Sequence, residues 1–290
     1  MQAAIYGFEG PALTDEERRF FRDAEPAGFI LFRRNIENPE QLLRLTDSLR
    51  ELSGRDEVPI LIDQEGGRVA RMRPPEWPAF PAAERFADLY RAAPSSAIEA
   101  VRANARAIGL MLRSVGVNVD ALPLLDVRQP GASDIIGDRA LGDEPMQVAA
   151  LGRAVLDGLA SAGVVGIVKH IPGHGRALVD SHHELPIVTA SAGELEIDLE
   201  PFERLASAPN DALAGATPYL RLFGSTLGGC KLAEEALAAR DLGDQIGDTQ
   251  RYVTLARFFA ENISVQAPAL ERTVIDSADA VNGADAVLLA

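Results

Sequence analysis

The chain has 290 residues and carries 28 Lys and Arg against 43 Asp and Glu, a formal charge of −15. Such a surface repels phosphate backbones and anionic headgroups, which excludes nucleic acid and membranes as expected partners. Hydrophobic residues make up 47 %, enough for a sizeable core, and the lone cysteine, Cys230, excludes an intramolecular disulfide or a multi-cysteine metal site.

The opening MQAAIYGFEG has neither the basic start nor the apolar run of a signal peptide. No run of about 20 uncharged apolar residues occurs anywhere. The expectation is a soluble, cytoplasmic protein. GFILFRRNI (28–36) reads as a buried strand. Asn38 then caps a helix with Pro39 at its first position and leucines at 42, 45, 49 and 52. VPILIDQEGG (58–67) is a second strand, 95–116 a long helix, and VNVDALPLLDV (117–127) a third strand. A helix follows over 143–163, with Asp143 as its cap and Pro145 in its first turn. GVVGIVKHIPGHG (163–175) is a fourth strand running into a glycine turn, and 192–208 is a further helix. Beyond residue 208 the pattern weakens: 210–220 and 283–290 suggest strands, and 251–265 fits helix and strand equally.

Alternating strands and helices imply parallel βα units, and strands apolar throughout imply a sheet covered by helices. Polar residues collect at the strand ends: Arg33-Arg34-Asn35, Asp63-Gln64-Glu65, Asp126 and Lys169-His170. A (β/α)8 barrel presents its site on that face, and a doubly wound sheet does so at its switch point. Polar residues end all four strands rather than two neighbours, which favours the barrel.

All four histidines, 170, 174, 182 and 183, fall within KHIPGHGRALVDSHHELP (169–186). A metal site is one reading, since imidazole and carboxylate suit zinc or iron. The four-residue spacing of His170 and His174 serves that reading on a helix, yet Pro172, Gly173 and Gly175 break helix. An acid/base site is another: Asp180 stands two residues before His182 and can fix its tautomer. A loop Asp that caps backbone N–H groups beside an exposed His is the third.

The same residues resemble the signature of family 3 glycoside hydrolases of the β-N-acetylhexosaminidase type, in which K-H-[FI]-P-G-H-G is followed by D-S-H and L-P. LIDQEGGRVARM (61–72), NVDALPLLDV and IIGDRALGDEP (135–145) are similar to other segments of that family, in the same order, over about residues 1–208. The resemblance implies one barrel domain over 1–290, divergent after 208. It also implies removal of terminal N-acetylglucosamine (GlcNAc) from peptidoglycan-derived fragments through a covalent glycosyl-enzyme intermediate, with no metal or cofactor. His182 then resembles the acid/base and Asp180 its orienting partner. Asp63, Arg71, Arg139, Lys169 and His170 resemble the residues that hold the sugar. The partner is a GlcNAc-containing muropeptide or saccharide, and the expected state is a monomer.

The family's nucleophile, the first Asp of an S-D-D-[LI]-S-M segment, has no counterpart; in the nearest register Glu261 takes its place. The family's T-A-H strand end is replaced by Thr217-Pro218, and an eighth βα unit is not evident, so the barrel is expected to be incomplete at its C-terminus. Two other readings follow: a GlcNAc-binding relative without turnover, and, more remotely, a metal-dependent barrel hydrolase.

Overall fold

A computed structural model describes residues 2–171, 173–180, 185–206, 232–241 and 249–266. Contacts divide the chain into two compact units, Met1–Leu205 and Ala206–Ala290, where the sequence suggests one domain.

The first unit is α/β. Strands β1 (Gln2–Tyr6), β2 (Pro26–Leu31), β3 (Ile60–Ile62), β4 (Val119–Asp120) and β5 (Val165–Gly166) form one sheet in sequence order. Every neighbouring pair is parallel, with Phe29 opposite Ile60, Leu61 opposite Val119 and Val119 opposite Val165. Consecutive parallel strands joined through helices are the wall of a (β/α)8-type barrel, of which five strands lie among the described residues.

The helices are α1 (Asp15–Ala24), α2 (Pro39–Ser53), α3 (Glu84–Ala92), α4 (Pro94–Ser114), α5 (Pro145–Ser161) and α6 (Ala192–Leu205). Phe29, Leu31, Ile60 and Ile62 are fully buried and share one core with Leu42, Leu49, Ile108, Leu112, Leu151 and Leu159 of the helices. This explains why the central strands are apolar at successive positions rather than at alternate ones.

Local chemistry sets the boundaries. Asn38 accepts from the Gln41 N–H and Pro39 opens α2, as its sequence indicates. Thr14 and Glu17 form a reciprocal capping box that starts α1. The cap of α5 is corrected: it is Glu144, not Asp143, and its side chain makes no cap bond. Strand β1 and helices α1 and α3 are not foreseen; β1 is five residues long and largely exposed, so it lacks the apolar signature of the inner strands.

In the second unit the described residues hold two helices, α7 (232–241) and α8 (Thr249–Asn262). The ambiguous stretch 251–265 is therefore mostly helix. No residue of α8 is buried, and Leu255 and Phe258 are exposed. The expected strands at 210–220 and 283–290 lie outside the described residues. Among the described residues no helix is long and apolar enough to cross a membrane.

Candidate active site

The site is built where strands stop. Asp63 directly follows β3, and Lys169 pairs with Leu124 three residues beyond β5. Arg139 ends a short 3-10 turn, Gly137–Arg139. Arg71 sits in the loop after β3, which Gln64 fixes from inside. The buried Gln64 amide oxygen accepts from the N–H groups of Arg71 (2.9 Å) and Met72 (3.0 Å), while its nitrogen donates to the Met72 carbonyl.

The charged groups interlock. Lys169 Nζ lies 3.0 Å from Asp63 Oδ1 and 2.7 Å from Glu65 Oε1. Arg71 Nη2 donates to Asp63 Oδ2 at 3.1 Å. Arg139 grips Glu65 with both ends of its fork, Nε to Oε2 and Nη2 to Oε1, each at 2.8 Å. A planar fork on a carboxylate fixes both partners in orientation. Asp63, Glu65, Arg71, Arg139, Lys169, His170 and His174 line one cleft of ≈ 500 Å³.

The environment sets the charges. Burial alone would raise the Asp63 carboxyl, but Lys169 and then Arg71 outweigh it and hold Asp63 below the usual carboxylate range. Burial would weaken the Arg139 guanidinium as an acid-proton holder, yet its bonds to Glu65 and that carboxylate's charge raise it above its ordinary value. Asp120, at the end of β4, behaves oppositely. It is fully buried, and burial pushes its carboxyl well above the usual range against the Gln64 N–H and Lys169; Asp63 and Glu65 push it the same way as burial.

The PGHG turn is shaped by close approach. Gly173 has φ +127°, and a side chain there would meet Asp198; one at Gly175 would run into the Val127 carbonyl. The turn is thereby laid against the segment that follows β4, where the buried Asp126 accepts from the His174 N–H at 2.6 Å and sits 2.7 Å from His170 Nδ1.

Of the sequence-predicted residues, the structure gathers Asp63, Arg71, Arg139, Lys169 and His170. Asp180 lies in the following loop, half-buried, and His182 and His183 are outside the described residues. Glu261 is on exposed helix α8, within the second unit, paired with Arg257 at 2.6 Å; it is not at a strand end. Arg33, Arg34 and Asn35 are strand-end polar residues of another kind, since they donate to the backbone carbonyls of Ile36, Phe8 and Gly10 and hold loops together. Glu65 and Asp126 received no role from sequence, although both stand among the strand-end polar residues that marked this face. Among the described residues no three His, Cys, Asp or Glu are placed to hold a metal ion.

Comparison with known proteins bears on the same residues. The model of the glycosyl hydrolase family 3 N-terminal domain matches residues 4–220. The chain belongs to glycosyl hydrolase family 3. A beta-hexosaminidase of Alkalilimnicola ehrlichii is 40 % identical over 207 residues, which are 70 % of this chain and 58 % of that protein. One of Bordetella avium is 37 % identical over 194 residues, 67 % of this chain and 55 % of that protein. Among solved structures, NagZ from Neisseria gonorrhoeae in complex with N-trifluoroacetyl-D-glucosamine superposes with a TM-score of 0.66 at 35 % identity, over 70 % of this chain and 59 % of that one. The family 3 chain thus spans less than two thirds of the length of these relatives. A second model, acetyl-CoA dehydrogenase C-terminal like, matches residues 200–285. Position 261 falls within that second match and outside the family 3 match, which ends at 220.

Proposed function

We propose that this chain recognises a terminal β-linked N-acetylglucosamine in the cleft lined by Asp63, Arg71, Arg139, Lys169 and His170, and hydrolyses it from peptidoglycan-derived saccharides. The observation that carries the reading is the interlocked set itself: two carboxylates and three cations from strand ends and the loops beyond them, spending their charge on one another while lining an open cleft. Neutral sugar hydroxyls donate and accept at once, so a surface of fixed donors and acceptors with little net charge suits them. Pairing also keeps each group in one position before the sugar arrives, which lowers the ordering cost of binding.

In this reading Asp180 orients His182, which protonates the leaving oxygen and then activates water, and a carboxylate attacks the anomeric carbon to give a retained product. The reaction uses no metal or cofactor, and the protein acts as a cytoplasmic monomer. One observation favours a second reading, a GlcNAc-binding relative without turnover: Glu261, the sequence candidate for the nucleophile, is tied to Arg257 on a helix of the second unit.

Hydrolysis of p-nitrophenyl-β-GlcNAc by the wild type, His182→Ala and Glu261→Gln separates the two. The hydrolase reading expects release above background in the wild type and a loss of about 10²-fold or more in His182→Ala. Glu261→Gln should behave as wild type if another carboxylate attacks. No release by the wild type, with GlcNAc binding intact in calorimetry, leaves the second reading.

A further inference from the structure

Asp126 lies behind the cleft rather than in its lining, and it is fully buried, six residues beyond the end of β4. Its two oxygens are divided between two residues of the KHIPGHG segment. Oδ1 accepts from the backbone N–H of His174 at 2.6 Å, and Oδ2 meets His170 Nδ1 at 2.7 Å. The first contact fixes the carboxylate, because a backbone N–H in a turn packed against Val127 has one direction to point. The second contact then fixes the His170 ring, whose side chain is 36 % exposed and lines the cleft. An acceptor oxygen opposite Nδ1 requires the proton of a neutral imidazole to be on Nδ1.

We infer that Asp126 is a positioning residue that sets the His170 tautomer, leaving Nε2 unprotonated as an acceptor for a ligand hydroxyl. Only the last clause rests on the sugar-binding reading. The arrangement parallels the way a carboxylate behind a histidine settles which ring nitrogen works on the ligand.

The test uses the intact chain labelled with 15N-histidine, whose four imidazoles give a short spectrum, with His170→Gln to assign the signal. At a pH high enough for the ring to be neutral, wild-type His170 should show a protonated Nδ1 and an unprotonated Nε2 by nitrogen chemical shift. In Asp126→Asn a single amide oxygen remains. It stays with the His174 N–H, and the amide NH2 faces His170, so the proton moves to Nε2 and GlcNAc binding weakens roughly tenfold. A wild-type His170 protonated on Nε2, or a tautomer unchanged in a folded Asp126→Asn, overturns the assignment. The wild-type spectrum decides even if the variant does not fold. Wild-type protein that shows the expected tautomer but binds no GlcNAc defeats the sugar reading and leaves the Asp126 role standing.

Discussion

Two cations of the cleft rest on Glu65, the Arg139 fork and the Lys169 ammonium, and its side chain is 5 % exposed. Replacing it with Gln leaves two cations without their counter-charge in a largely buried place. Glu65→Gln should lower unfolding free energy by about 1–3 kcal/mol in urea titrations. Asp63 and Asp120 respond to pH with opposite signs. Asp63 is depressed, so its contribution to stability is present above the ordinary carboxylate pKa and is lost as pH falls through its own lower value. Asp120 is raised, so the folded state loses stability as pH climbs from the ordinary carboxylate value towards the raised one. Asp120→Asn removes only the second effect. Its stability relative to wild type should improve progressively as pH climbs above the ordinary carboxylate value, measured by urea unfolding at each pH. At this scale the sequence was a good guide to which residues gather in the cleft, because LIDQEGGRVARM and KHIPGHG place Asp63, Arg71, Lys169 and His170 after their strands. It was a poor guide to Glu65 and Asp126, whose meaning depends on partners 74 and 44 residues away in the chain. Spacing carries no information about such contacts.

Elements were legible where their chemistry is local. Asn38-Pro39 at the start of α2 declares itself, and the helix is there. Helix α1 was not foreseen, although TDEE opens it with a capping box, and Thr14→Ala should destabilise the protein by about 1 kcal/mol in thermal or chemical unfolding. Contacts between elements were not legible. Helices α4 and α5 pack so closely at Gly158 that an added Cβ would stand 2.4 Å from the Arg102 carbonyl and 2.8 Å from the Ala105 side chain. Gly158 reads in sequence as a mild flaw in a helix, whereas the packed structure requires it. Gly158→Ala should therefore destabilise by about 1–3 kcal/mol despite the better helix propensity of Ala, and urea midpoints against wild type measure it. Asp143 failed as a cap for a related reason: which residue ends up capping depends on where the preceding turn leaves the chain, and here that is Glu144.

Over the whole molecule, the five parallel strands in sequence order are what alternating apolar and helical segments imply, and the site lies on the face where that topology puts it. The second unit was harder to read. ALERTVIDSADAVNGADAVLLA lends itself to a family 3 register, yet the family 3 match stops at 220 and residues 200–285 match a different model. Short motifs of Ala, Asp and Val recur in unrelated helices and strands, so a register drawn from them carries little weight. The proposed recognition of GlcNAc rests on residues of the first unit, and calorimetry of GlcNAc binding to wild type and Lys169→Met is its sharpest test. Wild-type binding should be measurable, and binding by the variant at least about tenfold weaker, since Lys169 bridges both carboxylates of the cleft. No binding by a folded wild type, or equal affinity in the two proteins, would contradict it.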